Sequence, residues 1–143
     1  MALAALKNEL DIWHAALEAY DSKDFNGALG LFEQISDNFK IVMNIGFIHV
    51  SQGNLDLAIE QFTNAIKLDH YLALAYFQRG VCHYQLKNME EALQDFSEAR
   101  TMMRGSEIVH YQYLGLEFEL PMNKVLLNRG LARIQLGEKS ESL

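Results

Sequence analysis

The side chains best suited to metal binding or nucleophilic chemistry are five histidines and one cysteine. His49 and His83 occupy equivalent positions of a sequence repeat, but a metal site needs further ligands that converge on the same point. The other three histidines form no cluster with them, so we interpret both rings as packed between helices. Cys82 has no basic neighbour that would lower its pKa, which indicates a structural thiol. We therefore expect no metal site and no cofactor.

The acidic side chains do not form a catalytic pattern. Many of them, including Glu18, Glu60 and Glu91, fall on polar helix faces, which is typical of solvated carboxylates. The chain also has no Gly-x-Ser-x-Gly elbow, no phosphate-binding loop and no Cys-x-x-Cys pair. The sequence therefore predicts no catalytic residues and a protein that is not an enzyme.

Length and charge exclude further classes of function. The chain has 143 residues, half of them apolar, and a formal net charge of −7, which suits a single domain with a sizeable core. Without a basic surface, binding to nucleic acid or to an anionic membrane is disfavoured. No apolar run approaches the roughly 20 residues of a membrane-spanning helix. Because a lone cysteine forms no internal disulfide, we expect a cytoplasmic protein without direct membrane insertion.

A repeated motif organises the chain. It appears as KDFNGALGLF at 23–32, as GNLDLAIEQF at 53–62 and as KNMEEALQDF at 87–96. Each copy is a turn pair followed by Ala-x-x-x-Phe, with Ala28, Ala58 and Ala92 at the equivalent position. Since positions i and i+4 share a helix face, the Ala permits close approach of two helices and the Phe fills the space behind it. A glycine recurs upstream at one phase, as Gly46, Gly80 and Gly130.

This period predicts a series of helix pairs. The predicted pairs are 3–20 with 25–36, 39–51 with 55–68, and 72–86 with 90–103, followed by a single helix at 122–136. They give repeats at about 5–37, 38–70 and 71–103, a partial fourth repeat at 121–137 with an exposed apolar face, and a tail at 138–143. The remaining residues, 104–120, form an insertion in which Leu116–Leu120 alternates like a strand and Leu114-Gly115 suits a turn.

The repeated residues resemble the tetratricopeptide repeat family, whose pattern combines an upstream Gly with Ala-x-x-x-Phe over about 34 residues. The resemblance covers about 5–103 and 122–137. The sequence departs from the family at Ala16, which takes the place of the Gly, and at Lys40 and His70, which take the place of the inter-repeat Pro. The resemblance implies an all-α, right-handed solenoid that forms a single domain over 1–143, with a short β-hairpin-like insertion after the third repeat.

Two stretches also resemble the N-terminal domain of the NADPH oxidase activator family, which includes a phagocyte oxidase subunit and a fungal Nox regulator. They are LALAYFQRG at 72–80 and RGSEIVHYQYLGL at 104–116, which begins the insertion. This resemblance implies a non-enzymatic adaptor that binds a GTP-loaded Rac small GTPase. It also implies a cytoplasmic domain that its partners recruit to the NADPH oxidase complex at a membrane, where superoxide is produced.

The same resemblance implies a Rac-binding surface at loop edges and at the insertion. Arg104 and Asp69 match the family outright, whereas His110 replaces an acid and Tyr71 replaces a histidine. A family Ser between the first two repeats falls at Phe39, which is a further departure. The implied binding positions are Arg104, Ser106, Ile108, His110, Asp69 and Tyr71.

A second interpretation places partner binding in the concave groove of the solenoid. The carboxylate clamp of chaperone adaptors is disfavoured, because only Asn44 agrees among its slots, which here hold Trp13, Leu17, Asn44, Leu74 and Gln78. A general scaffold that binds a helix or an extended peptide through groove residues such as Asn44 and Gln78 stays open.

Overall fold

The computed structural model describes residues 2–35, 39–106, 108–110 and 119–141. These residues form a run of helices and one short two-stranded sheet. The helices are α1 (Ala2–Asp21), α2 (Phe25–Glu33), α3 (Phe39–Ser51), α4 (Leu55–Leu68), α5 (Ala73–Gln85), α6 (Met89–Met102) and α7 (Met122–Glu141). The strands are β1 (Ile108–His110) and β2 (Glu119–Pro121). Because each helix packs against the next one along the chain, the predicted all-α solenoid of helix pairs is confirmed.

The turns within the three helix pairs share one backbone design. Lys23, Gly53 and Lys87 adopt left-handed φ values of 64°, 76° and 66°. In each turn the next amide donates a 2.8 Å hydrogen bond back to a carbonyl five residues earlier, as from Asn54 N to His49 O. This is the Schellman arrangement, which satisfies carbonyls that the ending helix leaves free. The side chain of Asp24 then caps α2 by accepting from Gly27 N at 3.1 Å.

The recurring Gly and Phe residues pack against each other. A Cβ atom built at Gly46 lies 2.5 Å from the Phe62 ring, and one at Gly80 lies 2.7 Å from the Phe96 ring. A side chain at either glycine therefore displaces the aromatic ring that fills its repeat. All three motif pairs, from Ala28/Phe32 to Ala92/Phe96, are fully buried. The predicted role of these residues in close helix packing is thus confirmed.

The buried residues divide into two clusters that meet at α3. Ile41, Ile45 and Ile48 face α1 and α2 and belong to a smaller cluster. Val42 and Phe47, on the other side of α3, belong to a larger cluster that extends through α4, α5 and α6 to α7. The helix α3 therefore separates two cores and contributes buried side chains to both.

The end of the chain and the insertion differ in part from the sequence-based expectation. The helix α7 continues to Glu141, so the prediction of a tail from residue 138 is wrong, and α2 ends at Glu33 rather than at 36. Pro121 pairs with Ile108 in the sheet, directly before α7 begins at Met122. The two strands are antiparallel, as a hairpin-like insertion requires, and Leu120 anchors them in the core. The expected turn at Leu114-Gly115 and most of the alternating strand lie outside the described residues.

Candidate partner-binding surface

The structure brings three of the predicted binding residues into contact. Asp69 is the C-cap residue directly after α4, Tyr71 lies in the following loop, and Arg104 lies in the turn after α6. The guanidinium carbon of Arg104 lies 4.9 Å from the centroid of the Tyr71 ring, which is cation–π geometry. Two loops that a whole helix pair separates in the sequence therefore form one surface.

The loop at residues 69–72 is shaped by Asp69. Its carboxylate Oδ1 accepts a hydrogen bond from the backbone N–H of Tyr71 at 3.0 Å, which makes an Asx turn. The backbone N–H of Leu72 also donates to the carbonyl of Asp69 at 3.3 Å. These bonds hold the Tyr71 ring outward, and its side chain is 65% exposed. Asp69 thus positions Tyr71.

The turn that carries Arg104 is fixed by its backbone. Arg104 and Gly105 have left-handed φ values of 53° and 80°. The amide of Arg104 donates to Thr101 O at 3.1 Å, and the amide of Ser106 donates to Met103 O at 3.0 Å. Met103 is buried and ties the turn to the core. The left-handed residue ends α6 and sends the chain outward, so the Arg104 side chain stands on the surface.

The remaining predicted positions follow on the same segment. Ser106 is exposed, and Ile108, at the start of β1, is 46% exposed. His110 is placed in β1 opposite Glu119 by its backbone, while its side chain lies outside the described residues. Phe39, at the family's Ser position, packs against the larger core cluster, which accounts for an aromatic residue there.

This surface offers directed donors, an aromatic face and an exposed aliphatic side chain. A guanidinium stacked on a ring keeps its five N–H donors in one plane, where they can reach carbonyls or carboxylates of another protein. Such a stack at an exposed site contributes about 0.5–1 kcal/mol. The combination of an ordered Arg, a Tyr and an aliphatic residue is the composition found at protein interfaces.

Among the described residues, the His and Cys side chains form no second site. Burial raises the pKa of the Cys82 thiol to about 11, so it is protonated and a poor nucleophile at neutral pH. His83 Nδ1 lies 3.4 Å from the Asn88 amide, and its Nε2 lies 4.0 Å from Asp95. Within the described part of the chain, no group of His, Cys, Asp and Glu side chains converges as metal ligands do.

A partly buried ion pair inside the third repeat was missed by sequence reasoning. Arg79 donates two hydrogen bonds to the carboxylate of Asp95, at 2.8 and 2.7 Å, and a third to the Thr63 hydroxyl at 3.1 Å. The hydrogen bond to Asp95 raises the pKa of Arg79, and burial opposes it. The signal in the sequence was an Arg directly before the recurring Gly and an Asp directly before the recurring Phe of the same repeat.

The predicted groove residues Asn44 and Gln78 are less exposed than Tyr71 and Arg104 of the loop surface. Asn44 is only 5% exposed, and its side-chain nitrogen has no hydrogen-bond partner among the described residues. Gln78 is half-buried. Two of the chaperone-clamp slots are used for packing, since Leu74 is buried and the Trp13 ring contacts Phe32 at 5.9 Å. A carboxylate clamp of the chaperone type is therefore absent from these positions.

None of the helices in the described residues combines the length and the apolar character that crossing a bilayer requires.

Comparisons with known proteins agree with this architecture. The tetratricopeptide repeat family matches residues 45–105. The crystal structure of PcrH from Pseudomonas aeruginosa superposes with a TM-score of 0.73 at 14% identity, covering 89% of this chain and 92% of that one. A tetratricopeptide domain of OM64 from Arabidopsis gives 0.68 at 17% identity, covering 89% and 95%. At these identities the likeness concerns the fold alone.

Three curated relatives are similar over most of this chain. Neutrophil cytosol factor 2 of Bos taurus is 38% identical over 125 residues, which are 87% of this chain and 24% of the relative. NADPH oxidase activator 1 of Rattus norvegicus is 31% identical, covering 94% and 30%. The NADPH oxidase activator of Dictyostelium discoideum is 33% identical, covering 89% and 21%.

This chain thus spans between a fifth and a third of the length of these relatives. One of them is named as a neutrophil cytosol factor and two are named as NADPH oxidase activators, which agrees with the prediction that the chain is not an enzyme. Together with the repeats at 45–105 and the sequence of packed helix pairs, these similarities identify the chain as a tetratricopeptide-repeat domain of the NADPH oxidase activator family.

Proposed function

We propose that this domain is a non-enzymatic regulatory adaptor that binds a GTP-loaded Rac-type small GTPase and so helps to activate a membrane NADPH oxidase. The domain acts in the cytoplasm, and its partners recruit it to the oxidase complex at the membrane. Support for a role in the oxidase comes from relatives that are named as oxidase activators. Support for a GTPase surface comes from the family positions that the sequence retains.

The observation that carries the proposal is the stack of Arg104 on Tyr71, at 4.9 Å. It joins the loop after α4 to the beginning of the insertion, the two segments in which the family resemblance locates binding. An arginine held by a ring and by a fixed backbone loses little side-chain entropy when it binds, so its hydrogen bonds contribute more to affinity. Ser106 and Ile108 extend the same surface, and His110 follows on β1.

Isothermal titration against Rac in its GTP-loaded and GDP-loaded forms tests the proposal. We expect binding to the GTP form only, and we expect Arg104→Glu to weaken it by at least ~30-fold, which corresponds to about 2 kcal/mol. Arg133→Glu is the matched control, because it makes the same charge reversal at an exposed position of α7, outside the two loops. Circular dichroism verifies that both variants fold. Equal affinity of wild type and Arg104→Glu would refute the proposed surface.

A second candidate function is a scaffold that binds a peptide in the concave groove. The observation in its favour is Asn44, whose almost buried amide nitrogen lacks a partner among the described residues. A backbone carbonyl of a bound peptide would satisfy that donor. Asn44→Ala and Gln78→Ala separate the two candidates, since loss of binding there, with Arg104→Glu unaffected, would favour the groove.

A further inference from the structure

Arg79 and the side chains around it, here called the Arg79 network, lie between consecutive repeats, and the same place has an equivalent one repeat earlier. Arg79 projects from α5 between α6, which supplies the Asp95 carboxylate, and α4, which supplies the Thr63 hydroxyl. The ring of Tyr76 lies 5.8 Å from the guanidinium carbon and covers another side of it. One acid, one further acceptor and one ring therefore surround a guanidinium between consecutive repeats.

One repeat earlier, the residues at the phases of Arg79 and Tyr76 have shorter, apolar side chains. Ile45 precedes Gly46 as Arg79 precedes Gly80, and Val42 occupies the phase of Tyr76. Both are buried on α3. Compared with the next repeat, the guanidinium and the aromatic ring are missing, so the described side chains at these phases leave the same place between the helices unfilled.

The acceptors around the position are nevertheless retained. Gln61 precedes Phe62 as Asp95 precedes Phe96, and Glu33 follows Phe32 as Thr63 follows Phe62. Glu33 thus offers a carboxylate where the Arg79 network has the Thr63 hydroxyl, and Gln61 offers an amide oxygen where the network has the Asp95 carboxylate. One acid and one neutral acceptor remain, on the two helices that flank the position.

A cavity of about 380 Å³ lies at this place. Its lining residues come from α2, α3 and α4. Four of them are the equivalents of the Arg79 network, namely Glu33, Val42, Ile45 and Gln61, and the other three are Asn64, Lys67 and Leu68. Val42 and Ile45 of α3 are buried, and we call this apolar part of the lining the floor; the polar lining residues on the flanking helices α2 and α4 are called the walls. Lys67 and Glu33 are both exposed, so solvent screens both charges, and Glu33 can act on a bound group mainly through a direct hydrogen bond.

We propose that this cavity receives an arginine side chain presented by a protein partner. The apolar floor suits the aliphatic stem, and the Glu33 carboxylate and the Gln61 carbonyl accept from the guanidinium head, as Asp95 and Thr63 accept from Arg79. The net charge of −7 also favours a cationic group. An ammonium lacks the planar fork of donors that reaches two walls at once. The lining excludes Asp69, Tyr71 and Arg104, so the proposal is independent of Rac binding.

A titration with N-acetyl-arginine N-methylamide, followed by NMR on the isotope-labelled 143-residue chain, tests this proposal directly. We expect saturable shifts of the Gln61 and Asn64 side-chain amides, with a dissociation constant on the order of millimolar for so small a probe. The corresponding lysine and norleucine amides are the controls, and we expect neither to saturate. An equal response to all three amides would mean an unspecific apolar cavity and would overturn the proposal.

Two variants test the acceptors. Glu33→Gln, at an exposed position, should weaken binding of the arginine amide about tenfold, because it removes a charge-assisted hydrogen bond. Gln61→Asp restores the acid of the Arg79 network and should strengthen binding by a similar factor, a gain that misfolding cannot produce. Glu60→Gln is the matched control, since it makes the same charge change on an exposed residue outside the cavity. Wild-type affinity in both test variants would refute the site.

Discussion

At the scale of single residues, Arg104 is held by two separate constraints. Its left-handed backbone, followed by Gly105, sets the direction in which the side chain leaves the turn. The exposed Tyr71 ring then fixes the position of the guanidinium. Each constraint removes conformations that the free side chain would otherwise occupy, so the surface is ordered before a partner arrives.

If the restricted conformation of the Arg104 side chain raises the affinity for the GTPase, the Tyr71 ring contributes to this affinity through Arg104. We expect Tyr71→Ala to lower the affinity for GTP-loaded Rac about fivefold, the equivalent of a surface cation–π contact of about 1 kcal/mol. Tyr71→Phe keeps the ring and should bind within a factor of two of the wild type, a margin of about 0.4 kcal/mol. Isothermal titration distinguishes the two variants. Loss of affinity in Tyr71→Phe would instead assign the effect to the hydroxyl.

The common location of the proposed binding residues could be predicted from the sequence, but their contacts could not. The repeat phase places Asp69 and Arg104 after successive helix pairs, so their common edge follows from the solenoid. The stack on Tyr71 depends on side-chain torsions and on a left-handed φ at a non-glycine residue, which the sequence does not indicate. The Arg79–Asp95 pair was missed because residues on two successive helices meet only when the rotation of both helices is known.

The lowered pKa of His49 predicts a pH-dependent contribution of this residue to stability. Burial lowers its pKa from 6.5, against the opposing charges of Glu33 and Glu60. The folded chain therefore binds this proton less readily than the unfolded chain, so the contribution of His49 is complete above pH 6.5 and is lost as the pH falls below it.

Replacement of His49 by tyrosine, the residue that the repeat family usually has there, should flatten this dependence. We expect the loss of melting temperature between pH 7 and pH 5 to be smaller in His49→Tyr than in the wild type, a window set by the unfolded pKa of 6.5. Thermal melts by circular dichroism measure it. His14→Tyr, at an exposed position, is the control, and identical slopes in all three proteins would exclude the proposed role.

At the scale of elements, each helix pair depends on the Phe that fills it. Phe62 and Phe96 are fully buried against Gly46 and Gly80. We expect Phe62→Ala or Phe96→Ala to lower the free energy of unfolding by about 3–5 kcal/mol, because each leaves a cavity that the helices close only in part. Chemical denaturation measures this loss. A change below about 1 kcal/mol would mean that the helices collapse around the missing ring.

The last helix lacks the packing that the same phase has in earlier repeats. A Cβ atom at Gly130 meets nothing within 4 Å, whereas those at Gly46 and Gly80 meet a Phe ring. Leu127 and Ile134 are 63% and 57% exposed on α7. Arg129 stands directly before Gly130, as Arg79 stands before Gly80, but its pKa is lowered by burial and then by Arg133 and Arg100.

This apolar face predicts association in solution. We expect light scattering to detect species larger than a monomer at high concentration, since such patches mark interaction sites. The double variant Leu127→Lys/Ile134→Lys should reduce them, while Leu57→Lys/Leu68→Lys, at exposed positions of α4, serves as the control. A strictly monomeric wild type whose α7 amides resist hydrogen exchange would contradict this prediction.

Helices and strands differed in how well their bounds could be predicted. The bounds of α3 and α4 agree with the prediction to the residue, because the turn pair and the Ala-x-x-x-Phe motif mark both ends. The end of α7 was misplaced, since no glycine or proline marks a stop after Gly137 and the next two residues, Glu138 and Lys139, are good helix formers. Strands as short as β1 and β2 carry too little periodicity to be placed within an insertion.

At the scale of the whole molecule, the two cores on either side of α3 differ in size. The smaller one contains α1, α2 and one face of α3, and the larger one contains the rest. In a solenoid each repeat is stabilised mainly by its neighbours, so the end with the smaller core opens first. We expect native-state hydrogen exchange to show lower opening free energies for amides in α1 and α2 than in α5 and α6. Uniform protection across all helices would show that α3 couples the cores fully.

The position of α3 also bears on the order in which the chain acquires its structure during synthesis. The first two helices are synthesised before α3. Ala28 and Phe32 belong to them, but the side chains they pack against, Ile41, Ile45 and Ile48, lie on α3. In a nascent chain that ends before Ile48, Ala28 and Phe32 therefore lack part of the α3 face that covers them. We therefore expect the first repeat to complete its folding only after α3 has been synthesised.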